Sequence, residues 1–369
     1  MNPQQSLFIV GHSVRYLSQS ASRGGYAVTG VDLFSDADTK IACRTVIDTV
    51  RQDAQGLVDA CLGYEKATNM SWLFAAGFEA QPELLYQLNS RGVCLGNRPE
   101  TLVFVSNPER FFQLLDMLGI RYPAVLFEQP PDPRGWLRKT AGSCGGVGVR
   151  FAGMKSPVST EHYYQRRITG PVCSLTFLAN GKNIEVLGIN EIHAVDPSQG
   201  DFRFAGACTG FNPGVKPVQQ MVEMARKLTV ALRLRGANGI DCVIRGDQAV
   251  LLELNARPPA TLELYERDLP KGGVTAHIAA CHGVLDKPTR ESGVRAYRIL
   301  YSDRDRVVGR IRWPEWCSDR PPVGNQCKKG EPLCGVHANG RTRKEVDACL
   351  RDRYLKVRAL FALSNQEAA

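Results

Sequence analysis

Residues 239–258, Gly-Ile-Asp-Cys-Val-Ile-Arg-Gly-Asp-Gln-Ala-Val-Leu-Leu-Glu-Leu-Asn-Ala-Arg-Pro, constrain the fold of this chain more than any other stretch. Two runs of strand-forming residues flank a short Gly/Asp turn, the pattern of a β-hairpin. With Gly246–Gln248 as a three-residue loop, Arg245 opposes Ala249 and Asp241 opposes Glu253. Side chains alternate along a strand, so Glu253, Asn255 and Arg257 share one face, and Asp241 joins them from the opposite strand. Ile240, Cys242, Ile244, Leu252 and Leu254 make the other face apolar. Two carboxylates facing each other in such a hairpin are costly unless a cation lies between them. Oxygen ligands of this kind suit Mg²⁺ (or Mn²⁺), which binds through one or two carboxylates and takes further oxygens from substrate phosphates. Asp241, Glu253 and Asn255 are therefore the expected metal ligands. The alternative is an exposed hairpin whose polar face meets water.

A second segment, Trp136 to Val149, runs strand, lysine, glycine loop, strand. Glycines let backbone N–H groups approach phosphate oxygens, and Lys139 adds a compact positive charge. No Gly-Lys-[Ser/Thr] follows the glycines, so this is not a Walker A loop. A third segment, Tyr163 to Phe177, is a strand, a Gly170-Pro171 turn and another strand, whose backbone could meet a purine edge. Taken singly, the second segment also reads as a solvated hairpin and the third as an ordinary one.

The first hundred residues alternate strand and helix. Leu7–Val10 is a strand, Val14–Arg23 a helix stopped by Gly24-Gly25, and Tyr26–Asp32 the next strand, which implies a parallel sheet. Gly56–Leu62, Trp72–Ala75 and Gly92–Cys94 read as further strands. Asp32 sits where dinucleotide folds place a ribose-binding acid, but Gly11-His12-Ser13-Val14-Arg15 has one glycine where three are needed, so NAD is not expected. Ser13 and Arg15 either meet substrate or cap the helix. Pro108–Leu118 is a helix with Phe111, Phe112, Leu114, Leu115 and Leu118 inward. Glu128–Pro133 is a surface loop, and a terminal helix runs from about Thr342 to Leu363.

At 369 residues, more than one packed unit is expected. The net charge of +9 is spread along the chain without a nucleic-acid-binding motif, so it fits phosphates and acidic substrates better than nucleic acid. No apolar stretch could span a bilayer, and the first residues lack the pattern of a signal peptide, so a cytoplasmic location without membrane attachment is expected. The twelve cysteines contain no C-x-x-C pair and read as reduced thiols, with Cys317, Cys327, Cys334 and His337 the one candidate cluster.

Lysine with a glycine loop, a hinge strand and then D-x(11)-E-x-N-x-R resemble, in that order, the ATP-grasp superfamily. The resemblance spans residues 5–285 and is most specific at Glu253-Leu254-Asn255-Ala256-Arg257. It implies a mixed α/β and α+β fold: a Rossmann-like pre-ATP-grasp domain over 1–107, an ATP-grasp domain over 108–286 with subdomains of about 108–166 and 167–286, and a β-rich C-terminal module with a terminal helix over 287–369. It implies ATP and magnesium as cofactors. Lys139 would hold the α- and β-phosphates, and Gly142, Ser143, Gly145 and Gly146 would form the loop that closes over them. Gln165, Arg167 and Ile168 would meet adenine, and Arg110 stands in place of a second lysine. Arg166 replaces the usual ribose-binding acid. Asp241, Glu253 and Asn255 match the magnesium ligands, and Arg257 the arginine that steadies the reacting groups, so Arg257 and Lys139 are the expected catalytic residues.

Within the superfamily, the Gly-x-Ser-x-Arg turn, Asp32–Asp36 and Gly170–Gly181 resemble predicted carboligases of tetrahydromethanopterin-linked one-carbon metabolism. These are related to the tyramine–glutamate ligase of methanofuran synthesis and to PylC-type ligases. The implied reaction joins a small carboxylate, such as glutamate, to an amine through an acyl phosphate. Two alternatives remain open: a non-amine acceptor, and an ATP-binding regulator without turnover. Glu191, His193 and Asp196 are candidates for the acceptor pocket or a surface loop. Trp313–Trp316 could cover the acceptor or form a contact in a homodimer.

Overall fold

The computed structural model describes residues 5–48, 54–64, 70–153, 161–289 and 291–364. Its first layer is a five-stranded parallel sheet of β1 (Ser6–Gly11), β2 (Ala27–Asp32), β3 (Thr45–Asp48), β4 (Met70–Phe74) and β5 (Gly92–Cys94), in the order β3-β2-β1-β4-β5. Helices α1 (Arg15–Arg23), α2 (Ala37–Ala42), α3 (Ala54–Leu62), α4 (Leu85–Asn89) and α5 (Pro99–Ser106) connect and follow these strands. The strand expected at Gly56–Leu62 is thus helix α3. Leu57, Val58 and Cys61 are fully buried, and their i, i+1, i+4 spacing forms one helical stripe that a short window mistakes for a strand.

Helix α6 (Pro108–Met117) follows, with Phe111, Phe112 and Leu115 buried and the Asn107 side chain accepting the Arg110 N–H at its start. A four-stranded antiparallel sheet comes next: β6 (Val125–Leu126), β7 (Trp136–Thr140), β8 (Val149–Phe151) and β9 (His162–Arg166), ordered β6-β9-β7-β8. Residues 167–171 link it to a larger sheet.

That sheet contains β10 (Val172–Asn180), β11 (Ile184–Asp196), β12 (Asp201–Thr209), β13 (Arg235–Arg245) and β14 (Gln248–Asn255), with α7 (Val215–Leu232) and α8 (Gly272–Cys281) packed on it. Beyond them, β15 (Val294–Tyr301), β16 (Arg306–Val307), β17 (Cys317–Ser318), β18 (Gln326–Cys327), β19 (Pro332–Gly340) and α9 (Arg343–Ser364) complete the chain. Strands β15, β19 and β17 extend the larger sheet, giving eight strands in the order β14-β13-β10-β11-β12-β15-β19-β17, while β16 and β18 pair separately. The C-terminal strands therefore continue this sheet. The protein is a mixed α/β molecule, with a parallel sheet at its N-terminus and antiparallel sheets after it.

The core divides on the two faces of the large sheet. Cys173, Leu175, Phe177, Ile240 and Cys242 pack with Met221, Ala225 and Leu228 of α7. On the other face Leu178, Leu187 and Ala237 pack with Leu262, Val274, Ala276 and residues of β1 and α1. No helix among the described residues is long and apolar enough to cross a membrane.

Candidate active site

The hairpin β13–β14 turns through two residues, Gly246 and Asp247, so Arg245 pairs with Gln248 and Ile244 with Ala249. This corrects the expected three-residue loop. A register shift beside Leu252 then restores the pairing of Asp241 with Glu253. A bulge adds one residue to one strand, and here it offsets the shorter turn. Leu251, not Leu252, consequently joins the apolar face opposite Cys242.

Asp241 stands between Ser174 and Glu253 in a cross-strand row that continues through Asn190 to Thr209. The buried members of this polar layer are satisfied: Tyr265 Oη donates to Asn190 Oδ1 at 2.7 Å, and Asn190 Nδ2 to Thr176 Oγ1 at 3.1 Å. At the end of the row the Asp241 carboxyl shares a hydrogen bond with Glu253, and Asn255 Nδ2 donates to Asp241 Oδ2 at 3.3 Å. Burial, followed by the charge of Glu253, pushes the Asp241 carboxyl well above the ordinary carboxylate range. Two carboxylates and an amide that crowd in this way fit a divalent cation, because a cation offsets the repulsion between the carboxylates.

The opposing jaw is the four-stranded sheet. Lys139 pairs with Tyr163, and Leu137 with Gln165, so Lys139, Tyr163 and Gln165 share a face. Burial raises the Tyr163 hydroxyl, which hydrogen-bonds Lys139 and lies within reach of the charge of Glu253 on the other jaw. Gln165 is 1% exposed, and its Nε2 has no hydrogen-bond partner among the described residues. A buried orphan donor costs about 1–3 kcal/mol, and a ligand acceptor in the cleft would remove that cost.

The other expected nucleotide contacts are placed differently from one another. The Arg167 guanidinium lies 5.2 Å from the Phe151 ring, while its backbone N–H donates to Gly135 O at 2.9 Å. Arg166 faces away, over Trp136 and donating to Arg134 O at 3.1 Å. Ile168 is half-buried in the link between sheets, and Arg110 is exposed on the first turn of α6.

The glycine loop between β7 and β8 is docked. Gly142 and Gly146 have φ of +69° and +73°, and a Cβ at either would collide with backbone, of Glu79 and Phe202 respectively. Phe204 N also donates to Gly145 O at 2.9 Å, and Ser143 N to Thr140 O at 3.2 Å. Cys144 thereby lies within reach of the charges of Glu79, Arg257 and Glu253, and burial raises its thiol to about 11. Arg257 is 9% exposed, and its Nε donates to Glu79 Oε1. Lys139, Tyr163, Glu253, Cys144, Arg257 and Glu79 thus lie near one another, where the two jaws meet the turn after β4.

A family model describing an ATP-grasp domain matches residues 106–261. The chain carries an ATP-grasp domain. Solved structures share its fold along nearly its whole length. The biotin carboxylase domain of Hydrogenobacter thermophilus 2-oxoglutarate carboxylase, solved with MgADP, ADP and bicarbonate, superposes with a TM-score of 0.74 at 10% identity, covering 95% of this chain and 89% of that one. N5-carboxyaminoimidazole ribonucleotide synthetase from Thermus thermophilus gives 0.71 at 13% identity, covering 94% and 97%. Phosphoribosylamine–glycine ligase from Thermotoga maritima gives 0.71 at 14%, covering 94% and 96%. An uncharacterised protein of Methanocaldococcus jannaschii is 19% identical over 273 residues, spanning 69% of this chain and 66% of that protein, just under two thirds of its length.

Several residues lie elsewhere than expected around the ATP-grasp domain. Arg15 is buried and forks onto Glu263 and Asp319, so it clasps the N-terminal helix to the rest of the chain. Asp32 accepts backbone N–H bonds from Val14, Phe34 and Ser35, each at 2.7 Å, and fixes two turns. Glu191 is across from Cys173, on the sheet face opposite Asp241, and pairs with Arg343 of α9. Trp313 and Trp316 pack on Phe361 and Arg353 of α9. Glu79, in contrast, was not singled out in the sequence. The available signal was its place in a Gly77-Phe78-Glu79 turn after β4, since open α/β sheets bind ligands beyond the carboxyl ends of their strands.

Proposed function

We propose that this protein is an ATP- and magnesium-dependent ligase that activates a carboxylate as an acyl phosphate and couples it to an amine. The observation that carries this reading is the opposition of Lys139 to the Asp241–Glu253–Asn255 group through Tyr163, with Arg257 at the same cleft. Such a cleft supplies what phosphoryl transfer needs, namely charge neutralisation and alignment rather than covalent help from the enzyme.

Asp241, Glu253 and Asn255 would hold the magnesium, which would supply positive charge to neutralise the phosphates. Lys139 offsets charge from the opposite jaw. Gln165 turns its orphan N–H towards a nucleotide acceptor. The Gly142–Gly146 lid offers backbone N–H groups and keeps out water, which would otherwise hydrolyse an activated acid. Arg257 orients the carboxylate being activated.

The test is ADP release with paired substrates, beginning with glutamate plus tyramine or tyrosine, the pairs suggested by the resemblance to tyramine–glutamate ligases. ADP that appears only with a given acid–amine pair supports the ligase and identifies its substrates. ATP binding with no ADP from any pair would make the protein a nucleotide-dependent regulator instead.

A further inference from the structure

The N-terminal sheet changes winding direction between β1 and β4, because β2 lies on one side of β1 and β4 on the other. Crevices at such a switch point are where open α/β sheets bind ligands. Two turns emerge there. The first carries His12, whose backbone N–H donates to Ala76 O at 2.8 Å and whose ring occupies the space that a Cβ on Gly77 would need. The second carries Glu79. Glu79 Oε2 accepts the Gly77 N–H at 2.7 Å, and Oε1 accepts from Arg257. The Glu79 carbonyl lies directly under Gly142 of the lid. One half-buried residue therefore meets the N-terminal crevice and the arginine of the β13–β14 hairpin through its carboxylate, and the glycine loop through its backbone carbonyl.

The proposed ligase must do something that the nucleotide jaws do not provide. A primary amine is a cation near neutral pH. It needs an anion to bind and must lose a proton before its lone pair can attack. Asp241 and Glu253 are committed to the metal in the reading above. We propose that Glu79 receives the amine, binding its ammonium form and removing the proton that frees the nucleophile. This inference rests on the ligase reading.

The proton balance is simple. The Glu79 carboxylate takes one proton from R–NH₃⁺. The free nitrogen forms a bond to the acyl carbon, and the bond from that carbon to the phosphate oxygen breaks. The second N–H proton leaves with the phosphate, and Glu79 returns its own to water. The contact with Arg257 also gives an order to these events. While the acid site is empty, Arg257 holds Glu79 as a weakly basic carboxylate. An entering substrate carboxylate competes for the guanidinium, and Glu79 then loses the charge that most favours its ionised form, leaving burial opposed by the Gly77 N–H bond. His12 and Cys144 also face this pair. Burial lowers the His12 imidazole and raises the Cys144 thiol, so neither carries charge near neutrality.

The experiment separates activation from amine capture. Full-length wild type, Glu79→Gln, Glu79→Asp and His12→Asn are each given Mg–ATP and an acid that supports turnover. The nucleophile is either the amine partner or hydroxylamine, which is uncharged near neutral pH. The expected result is that Glu79→Gln loses amine-dependent product about 10²–10⁴-fold. It forms hydroxamate within about threefold of wild type, and Glu79→Asp recovers part of the amine rate. Equal loss with both nucleophiles would assign Glu79 to holding Arg257 and overturn the proposal. So would an unchanged amine rate, or a selective loss in His12→Asn instead. If Glu79→Gln does not fold, the amine-to-hydroxylamine ratio of Glu79→Asp decides, a ratio equal to wild type overturning the proposal. If wild type makes neither ADP nor hydroxamate with any acid, the ligase reading itself fails and this inference falls with it.

Discussion

Arg15 Nη2 donates to Glu263 Oε2 at 2.8 Å, a bond between partners 248 residues apart in sequence. Asp319 accepts from the same guanidinium at 3.1 Å, so one buried fork joins the first helix, the segment after the β13–β14 hairpin and the turn beyond β17. Breaking such a pair from one side leaves a buried charge uncompensated. Arg15→Met should lower unfolding free energy by about 3–5 kcal/mol. Denaturant titration would show this as a lower midpoint, and an unchanged midpoint would show that the clasp is energetically neutral.

Glu253→Gln tests the metal group. It removes one of two carboxylates from the proposed magnesium site while keeping shape. Turnover should fall by a factor of about 100 or more. Calorimetry should show weaker ATP binding with magnesium and little change without it. Equal affinity with magnesium would remove Glu253 from the ligand set.

Gln165 predicts two effects of opposite benefit. Its Nε2 is buried without a partner among the described residues, so Gln165→Leu should leave the unliganded protein as stable or raise stability by about 1 kcal/mol. The same change should weaken ATP binding about tenfold, the value of one hydrogen bond in a dry site. Loss of stability with unaltered ATP affinity would mean that the amide serves the fold alone.

Asp32 gives a pH dependence. Burial raises its carboxyl to about 6, against the three backbone bonds that lower it. A raised folded-state value means that the native protein binds more protons than the unfolded chain between about pH 4 and 6. The contribution of Asp32 to stability should therefore fall as pH rises through this window and stay constant above it. The denaturant midpoint of wild type relative to Asp32→Asn, followed from pH 4 to 7, should decline across that range. A difference that is flat with pH would show an ordinary carboxyl.

The hairpin was legible because alternation is strict over Glu253, Asn255 and Arg257, and a one-residue slip would have moved these side chains into the apolar core. The pairing of Asp241 with Glu253 followed even though the turn was read one residue too long, since the bulge at Leu252 is invisible to a periodic pattern. Helix α3 was lost for a related reason: Leu57 and Val58 are adjacent, and adjacency fits a short strand as well as one side of a helix. Glu79 and Arg15 were not legible as partners. Their counterparts lie 178 and 248 residues away, and a guanidinium in a turn looks the same in sequence whether it meets substrate or protein.

The continuity of the large sheet has a consequence during synthesis. Strand β12 pairs on one side with β11 and on the other with β15, which is made only after α7, β13, β14 and α8 have left the ribosome. Until then the outer edge of β12 is bare, with Ala205, Ala207 and Cys208 beside unpaired amides, and such edges recruit other chains. A nascent chain stalled or cut near Gly283 would carry the β13–β14 hairpin and the glycine loop and still be prone to aggregate, because the strand that covers this edge lies in the final quarter of the chain.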